Sequence, residues 1–353
     1  MNSKQTAAIR KILNEWYLIN KRTLPWRETK DPYKIWISEI ILQQTRVNQG
    51  LDYYNRFIER FPDVKSLAEA GEDEVLKYWQ GLGYYSRARN LHKAAKQIMN
   101  KYNGAFPTVY HEVLSLSGVG EYTAAAVCSL AYHQPYAVVD GNVYRVLSRL
   151  TGSSTPIDTS VGKKEFSAVA QQLLFITSPD VHNQAMMDFG ALQCTPANPD
   201  CEICVLQDFC EAYKLNIVGQ LPVKQGKTNV KNRYFNYFFI KNDDYTYLKK
   251  RTGKDIWQNL YEFPLIETDK EMNFQELTET ESFRQLFGET ELTVQKISHP
   301  VKHILSHRII NAVFYKINIS HENETIKDFE KLLLSELNQF PVSRLTELYL
   351  EKG

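Results

Sequence analysis

Two carboxylates stand in apolar surroundings. Glu39 lies in Ile35-Trp36-Ile37-Ser38-Glu39-Ile40-Ile41-Leu42, and on a helix its i−4, i−3 and i+3 neighbours are Ile35, Trp36 and Leu42. A carboxyl on such a face is costly to ionise, which raises its pKa and suits a general acid near neutral pH. The plainer alternative is a helix-edge glutamate whose head reaches solvent. Asp140 ends Ala137-Val138-Val139 and precedes Gly141-Asn142-Val143. Its local role is to cap the helix carrying Arg145, Val146 and Leu147, and a cap also fixes a carboxylate in place. Cys194, Cys201, Cys204 and Cys210 are spaced C-x6-C-x2-C-x5-C with no histidine in the loop. A reducing compartment argues against disulfides there. Zinc and a [4Fe–4S] cluster both accept four thiolates; the single close pair leans toward the cluster. Cys128, in an apolar run, reads as a small core residue.

Two further motifs suit a polyanion. Gly118-Val119-Gly120 precedes a helix, where backbone N–H groups can approach a phosphate, although a simple tight turn is an equal alternative. Trp79-Gln80-Gly81-Leu82-Gly83-Tyr84-Tyr85 adjoins Arg87 and Arg89 and suits a wedge into stacked bases. Its alternative is core packing by Leu82 and one tyrosine. Residues 75–111 and 212–242 hold no acid and six Lys or Arg each, a pattern that suits a polyanion or merely a solvated surface.

The elements that must position these groups divide into two. Residues 1–210 read as mostly helical: Asp31-Pro32 starts a helix as N-cap and first-turn proline, and helix, tight turn and helix follow one another through 112–127. Residues 211–230, polar and basic with Gly219, Pro222 and Gly226, read as a linker. Beyond it the period changes. Residues 234–240, 245–249, 294–297 and 308–319 are strand candidates, and 325–338 and 343–350 closing helices. The expected architecture is an all-α domain bearing a cysteine loop, then a smaller α+β domain over 231–353.

Length and composition agree. A chain of 353 residues exceeds what one core usually serves. The net charge of +1 excludes a histone-like tail but not a local basic face. No segment approaches the roughly 18 apolar residues that would span a bilayer, and the N-terminus, with Lys4, Arg10, Lys11 and Glu15, does not read as a secretory signal. The expected compartment is the cytoplasm.

Taken in order, Leu24-Pro25-Trp26-Arg27, Ser38-Glu39, Gln43-Gln44-Thr45, Gly81-Leu82-Gly83-Tyr84-Tyr85, the glycine turn, Val139-Asp140-Gly141-Asn142-Val143 and the four-cysteine loop closely resemble adenine DNA glycosylases of the MutY type. The resemblance covers essentially the whole chain. It implies a helix–hairpin–helix glycosylase domain with one [4Fe–4S] cluster, joined to a C-terminal domain of NUDIX-like fold. It implies a monomer that acts on double-stranded DNA and removes adenine mispaired with 8-oxoguanine or guanine.

By the same resemblance Glu39 is the acid that protonates the adenine, and Asp140 stabilises the oxocarbenium-like sugar, two carboxylates flanking a glycosidic bond. Tyr122 supports the reaction near the sugar, and Asn142 positions Asp140 or water. Arg27 and Gln184 line the adenine pocket. Gln44 and Tyr84 lie beside the 8-oxoguanine, Thr45 and Leu82 also bind the substrate, Ser306 and His307 belong to the loop that checks for 8-oxoguanine, and Gly118, Val119 and Gly120 meet the DNA backbone. Endonuclease III-type relatives place a Schiff-base lysine where Tyr122 stands, so a chain with tyrosine is expected to leave the strand uncut.

Three departures are visible. Ser117 replaces the usual proline before the glycine turn, so the turn is expected to be slightly less rigid. Leu305 replaces the usual phenylalanine of the checking loop. The acidic stretch Glu276 to Glu281 lacks the Arg-Glu pair and Glu-Glu spacing of a working NUDIX box, so the C-terminal domain is expected to recognise a base and not hydrolyse a nucleotide.

Overall fold

A computed structural model describes residues 2–226 and 229–352. The chain forms two compact units, Met1–Glu69 with Asn90–Gly226, and Ala70–Arg89 with Lys227–Gly353. The division drawn from sequence kept residues 70–89 in the helical part.

The helices, in chain order, are α1 (Ser3–Asn20), α2 (Pro32–Leu42), α3 (Val47–Arg60), α4 (Val64–Glu69), α5 (Glu72–Trp79), α6 (Ser86–Tyr102), α7 (Tyr110–Leu114), α8 (Glu121–Tyr132), α9 (Gly141–Thr151), α10 (Ser160–Leu173), α11 (Pro179–Leu192), α12 (Glu211–Lys214), α13 (Phe274–Thr278), α14 (Glu281–Phe287), α15 (Glu324–Lys327) and α16 (Arg344–Lys352). The starts follow local chemistry. Asp31 accepts from the Tyr33 N–H with Pro32 at the first position of α2, and Asp140 accepts from the Val143 N–H at the head of α9. Helix α2 is buried over nearly its whole length, because its sequence is apolar on every side.

The core of the first unit gathers Ile9, Leu13, Trp16 and Tyr17 of α1, Val143, Val146, Leu147 and Leu150 of α9, Phe166 of α10 and Met186 and Phe189 of α11. Cys194 and Cys204 pack against it, and Cys128 is fully buried in α8. The stretch expected as a linker is partly folded. Residues 211–214 form α12, Val218–Gln220 make a 3-10 turn, and Leu221 is buried. The cause is Arg149, whose buried Nε donates to the Val218 and Leu221 carbonyls at 3.1 Å each.

The second unit holds β1 (Lys231–Asn242), β2 (Tyr245–Lys250), β3 (Tyr261–Glu262), β4 (Leu265–Thr268), β5 (Leu292–Ile297), β6 (Val301–Ile304), β7 (Arg308–Ile319) and β8 (Glu330–Leu333) in one mixed sheet. The central pair β1 and β7 is parallel over Lys231↔Arg308 to Lys241↔Asn318, and every other pairing between these strands is antiparallel. Successive β1 residues point to opposite faces, and both faces are covered. Phe235 and Tyr237 enter a core with Phe314 and Leu345, whereas Phe238 and Ile240 enter one with Phe283, Phe287 and Tyr315. All four expected strands are present.

The closing helix expected over 325–338 is not. That stretch is α15, β8 and a 3-10 turn over Leu334–Gln339. The open edge of β2 decides it: Tyr245↔Leu333 through Leu248↔Glu330 pair, satisfying backbone groups that a helix would leave unpaired. Within this unit, residues 70–89 are held by hydrogen bonds. Asp73 accepts from Lys250 and Tyr261, Glu72 accepts from Asn259, and Gln80 bonds to the Val342 N–H and to Glu347.

Candidate active site

One pocket of the first unit collects most of the singled-out side chains. Arg27, Glu39, Gln44, Thr45, Tyr122, Asp140, Asn142 and Gln184 all line it. They come from α2, α8, α9 and α11 and from the segments that precede and follow α2.

Glu39 is buried, at 6% exposure, and Tyr122 donates to its Oε2 at 2.5 Å. Burial pushes the Glu39 carboxyl up to about 7; the Tyr122 hydrogen bond opposes the rise, and the Asp140 charge adds to it. Tyr122 itself is driven well above its ordinary value, by burial first and then by the charges of Glu39 and Asp140. Its hydroxyl therefore stays protonated and donating.

Asp140 keeps its cap: Oδ1 accepts from the Val143 N–H at 2.7 Å and Oδ2 from the Asn142 amide at 2.8 Å. Burial raises its pKa as well, but these two bonds favour the ionised form. Asn142 is held in turn, its Oδ1 accepting from Arg145 Nη2 at 2.9 Å, while Arg145 also donates to the Gly190 and Cys194 carbonyls. Helix α9 meets α11 closely enough that a Cβ on Gly190 would stand 2.7 Å from that of Asn142, so the crossing requires glycine.

Arg27 forks onto Asp188, Nη1 to Oδ2 at 2.5 Å and Nη2 to Oδ1 at 2.7 Å, and Arg22 donates to the same carboxylate. Gln184 is tied through Oε1 to the Tyr17 hydroxyl at 2.6 Å. Neither Asp188 nor Tyr17 was picked out from the sequence. The signal for Asp188 was present: a lone carboxylate in Met186-Met187-Asp188-Phe189 is as conspicuous as Glu39 in its own apolar run. Tyr17 gave no such signal.

Gln44 stands at φ +59°, beside the pocket mouth residues Thr45 and Arg46. Gly118 has φ +73°, and a Cβ there would come within 2.6 Å of the Asn90 Cβ, so this turn requires glycine. Ser117 is pinned by its N–H to Gln97 at 2.7 Å. Val119 is buried, and Gly120 caps α8 without any side-chain acceptor, leaving the first amides of that helix open.

The remaining predicted residues belong to the second unit. Tyr84, at φ +47°, is exposed and hydrogen-bonds Ser306 through its hydroxyl, whereas Leu82 and Tyr85 are buried. Ser306 and His307 form the tip of the β6–β7 hairpin, closed by the Leu305 N–H on the Arg308 carbonyl at 2.8 Å; Leu305 packs inward against the core. Glu276 of the acidic stretch caps α13, accepting from the Asn273 N–H.

The four loop cysteines carry no disulfide and line a second pocket with Val146, Leu150 and Tyr213. Cys201, Cys204 and Cys210 lie within electrostatic reach of Cys194, and Arg149 Nη1 donates to Cys194 Sγ at 3.4 Å. Burial pushes Cys204 up to about 11. Among the described residues no three His, Cys, Asp or Glu converge tightly enough for a single metal ion.

The chain is similar to known proteins over most of its length. Residues 37–172 match the HhH-GPD superfamily of base excision DNA repair proteins, and residues 236–352 match the NUDIX domain. An adenine DNA glycosylase of Buchnera aphidicola subsp. Baizongia pistaciae is 36% identical over 323 residues, 89% of either chain. This chain belongs to the adenine DNA glycosylase family. It is a DNA glycosylase, a hydrolase of base-excision repair, with a helical HhH-GPD fold and a C-terminal NUDIX domain built on the mixed sheet. The family's helical fold recurs in a thermostable thymine-DNA glycosylase, 30% identical with a TM-score of 0.56 over 60% of this chain and 98% of that one. It recurs again in an endonuclease III in a non-covalent complex with DNA, 25% identical with a TM-score of 0.52 over 62% of this chain and 99% of that one. Among the described residues no helix is long and apolar enough to cross a membrane.

Proposed function

We propose that the pocket receives an adenine extruded from duplex DNA, where it stood opposite 8-oxoguanine or guanine, and that the N-glycosidic bond is hydrolysed there. The observation that carries the reading is the pairing of carboxyls. Glu39, raised to about 7, holds a proton near neutrality, while Asp140 shares a pocket wall and accepts two hydrogen bonds that favour its anion. A carboxyl that holds its proton near neutrality and a second whose hydrogen bonds favour its anion supply an acid for the leaving base and an anion for the cationic sugar.

Tyr122 orients the Glu39 carboxyl by donating to its Oε2 and, having no amine, forms no Schiff base, so base loss proceeds without strand cleavage. Asn142 fixes Asp140. Arg27 and Gln184 contact the base. Gln44, Thr45, Leu82 and Tyr84 serve the opposite strand, Ser306 and His307 check for 8-oxoguanine, and the turn Gly118, Val119 and Gly120, with the open first amides of α8 behind it, takes a phosphate. The catalytic part is assigned to 1–210 and lesion recognition to 231–353. The protein meets double-stranded DNA as a monomer.

Cys194, Cys201, Cys204 and Cys210 fit one [4Fe–4S] cluster by donor chemistry: four thiols, no histidine, one shared pocket, and a buried arginine donating to one sulfur. When bound, the cluster supplies metal–thiolate links that tie the loop to the core. The hydrolysis is carried by the carboxyls.

The test is single-turnover base release from duplexes holding adenine opposite 8-oxoguanine, guanine or thymine, each read with and without alkali. Release opposite 8-oxoguanine and guanine, with breaks only after alkali, is expected. Breaks without alkali, or no adenine release, overturn the reading.

A further inference from the structure

The base pocket carries a side chain that sequence alone leaves ambiguous. Gln184 has an amide that can face a ligand with its oxygen or with its nitrogen, and the two ends read opposite hydrogen-bonding patterns. A glutamine free to turn discriminates poorly. In this structure it is not free. Oε1 accepts from the Tyr17 hydroxyl at 2.6 Å, and Tyr17 is itself 6% exposed, seated in the core of the first unit beside Trp16 and Leu13.

The hydroxyl decides the orientation. Burial, with the charge of Asp188, raises the Tyr17 pKa, against Arg27 and Arg22. It stays a phenol with one proton to donate. Turning the Gln184 amide over would set its N–H₂ against that O–H and leave the phenol proton without its acceptor. An unmet buried donor makes the turned state rarer by roughly ten- to a hundredfold.

We infer that Tyr17 is a positioning residue for base recognition. By fixing the Gln184 amide it makes Gln184 a pure donor toward the extruded base, so the pocket demands a ring-nitrogen acceptor on the edge facing α11. Arg27 is held in place by its fork onto Asp188 and by a bond to the Arg22 carbonyl, and a guanidinium can only donate. The two side chains together select a base edge rich in acceptors. This deepens the proposed adenine reading and rests on it.

Equilibrium binding would be measured in a Glu39→Gln background, so that nothing turns over, on duplexes carrying adenine, 1-deazaadenine, 3-deazaadenine or 7-deazaadenine opposite 8-oxoguanine. One deaza analogue is expected to bind about tenfold more weakly than adenine. Tyr17→Phe, which keeps the packed ring, is expected to bring that ratio near one. Gln184→Ala is expected to do the same, and the double variant to match Gln184→Ala alone. A deaza penalty unchanged by Tyr17→Phe, penalties that add in the double variant, or no discrimination among the analogues with Tyr17 in place would each overturn the inference. A purely structural tyrosine would lower the melting temperature and leave the ratio alone. The parent reading fails in a different way, if the Glu39→Gln protein still releases adenine.

Discussion

Glu39 and Asp188 are both buried acids on apolar stretches of helix, at two places in one unit, and their chemistry runs in opposite directions. Burial acts on both as the largest single influence, pushing each carboxyl up. At Asp188 the hydrogen bonds and charges of Arg27, then of Arg22, overcome it, and the net shift is downward. At Glu39 the strongest opposition is a neutral phenol, and the carboxyl ends at about 7. Desolvation is thus common to both sites, and the partner decides which becomes a fixed anion and which a proton donor.

The largest effect follows from removing the donor. Glu39→Gln keeps the shape and an acceptor for Tyr122 but has no acidic proton. Single-turnover base release is expected to fall by about 10²- to 10⁴-fold with duplex affinity kept; retained turnover would break the comparison at its functional end.

Asp188→Asn attacks the other end. It strips the counter-charge from Arg22 and Arg27, and breaking a buried pair from one side costs on the order of 3–5 kcal/mol. Thermal unfolding followed by circular dichroism should show a melting temperature lower by roughly 6–15 °C. An unshifted transition would mean the arginines find other partners.

A stability measurement sharpens the contrast. The folded pKa of Glu39 lies above its ordinary 4.5, so between 4.5 and about 7 the folded chain binds more protons than the unfolded one. Stability is therefore lost as pH rises through that window, by about 3 kcal/mol in total. Glu39→Gln should recover this at pH 8 and change little at pH 4.5, as urea titrations at the two pH values would show. The same proton sets the rate: base release should decline as pH rises through about 7.

The smallest effect belongs to Tyr122→Phe. It removes the hydrogen bond that favours the Glu39 anion, so the alkaline limb of the pH–rate profile should move upward, by about one pH unit or less. A downward move would mean that the phenol favours the acid.

Much of this site was legible in the sequence because its groups break local rules. A carboxylate in an isoleucine-rich helix, an aspartate ending an apolar strand-like run and four closely spaced thiols are all visible one segment at a time. Capping by Asp31 and Asp140 and the strands of the mixed sheet are likewise local in origin. What escaped depends on distant partners. Asp188 is explained by Arg22 and Arg27, more than 160 positions away, and Tyr17 by Gln184 at a similar separation. The 325–338 segment has helical composition, but an open strand edge claims its middle. The expected linker is folded by Arg149, itself on a helix that ended some 70 residues earlier.

The grouping of residues 70–89 with the C-terminal strands has a consequence in time. Asp73 and Gln80 leave the ribosome well before Lys250, Tyr261 and Val342, the groups that they bond. At about 5–20 residues per second the wait is on the order of ten to fifty seconds. During synthesis this segment is an early-made piece held for a late-made one, so a ribosome stalled near residue 226 should display it as the most protease-sensitive stretch of the nascent chain.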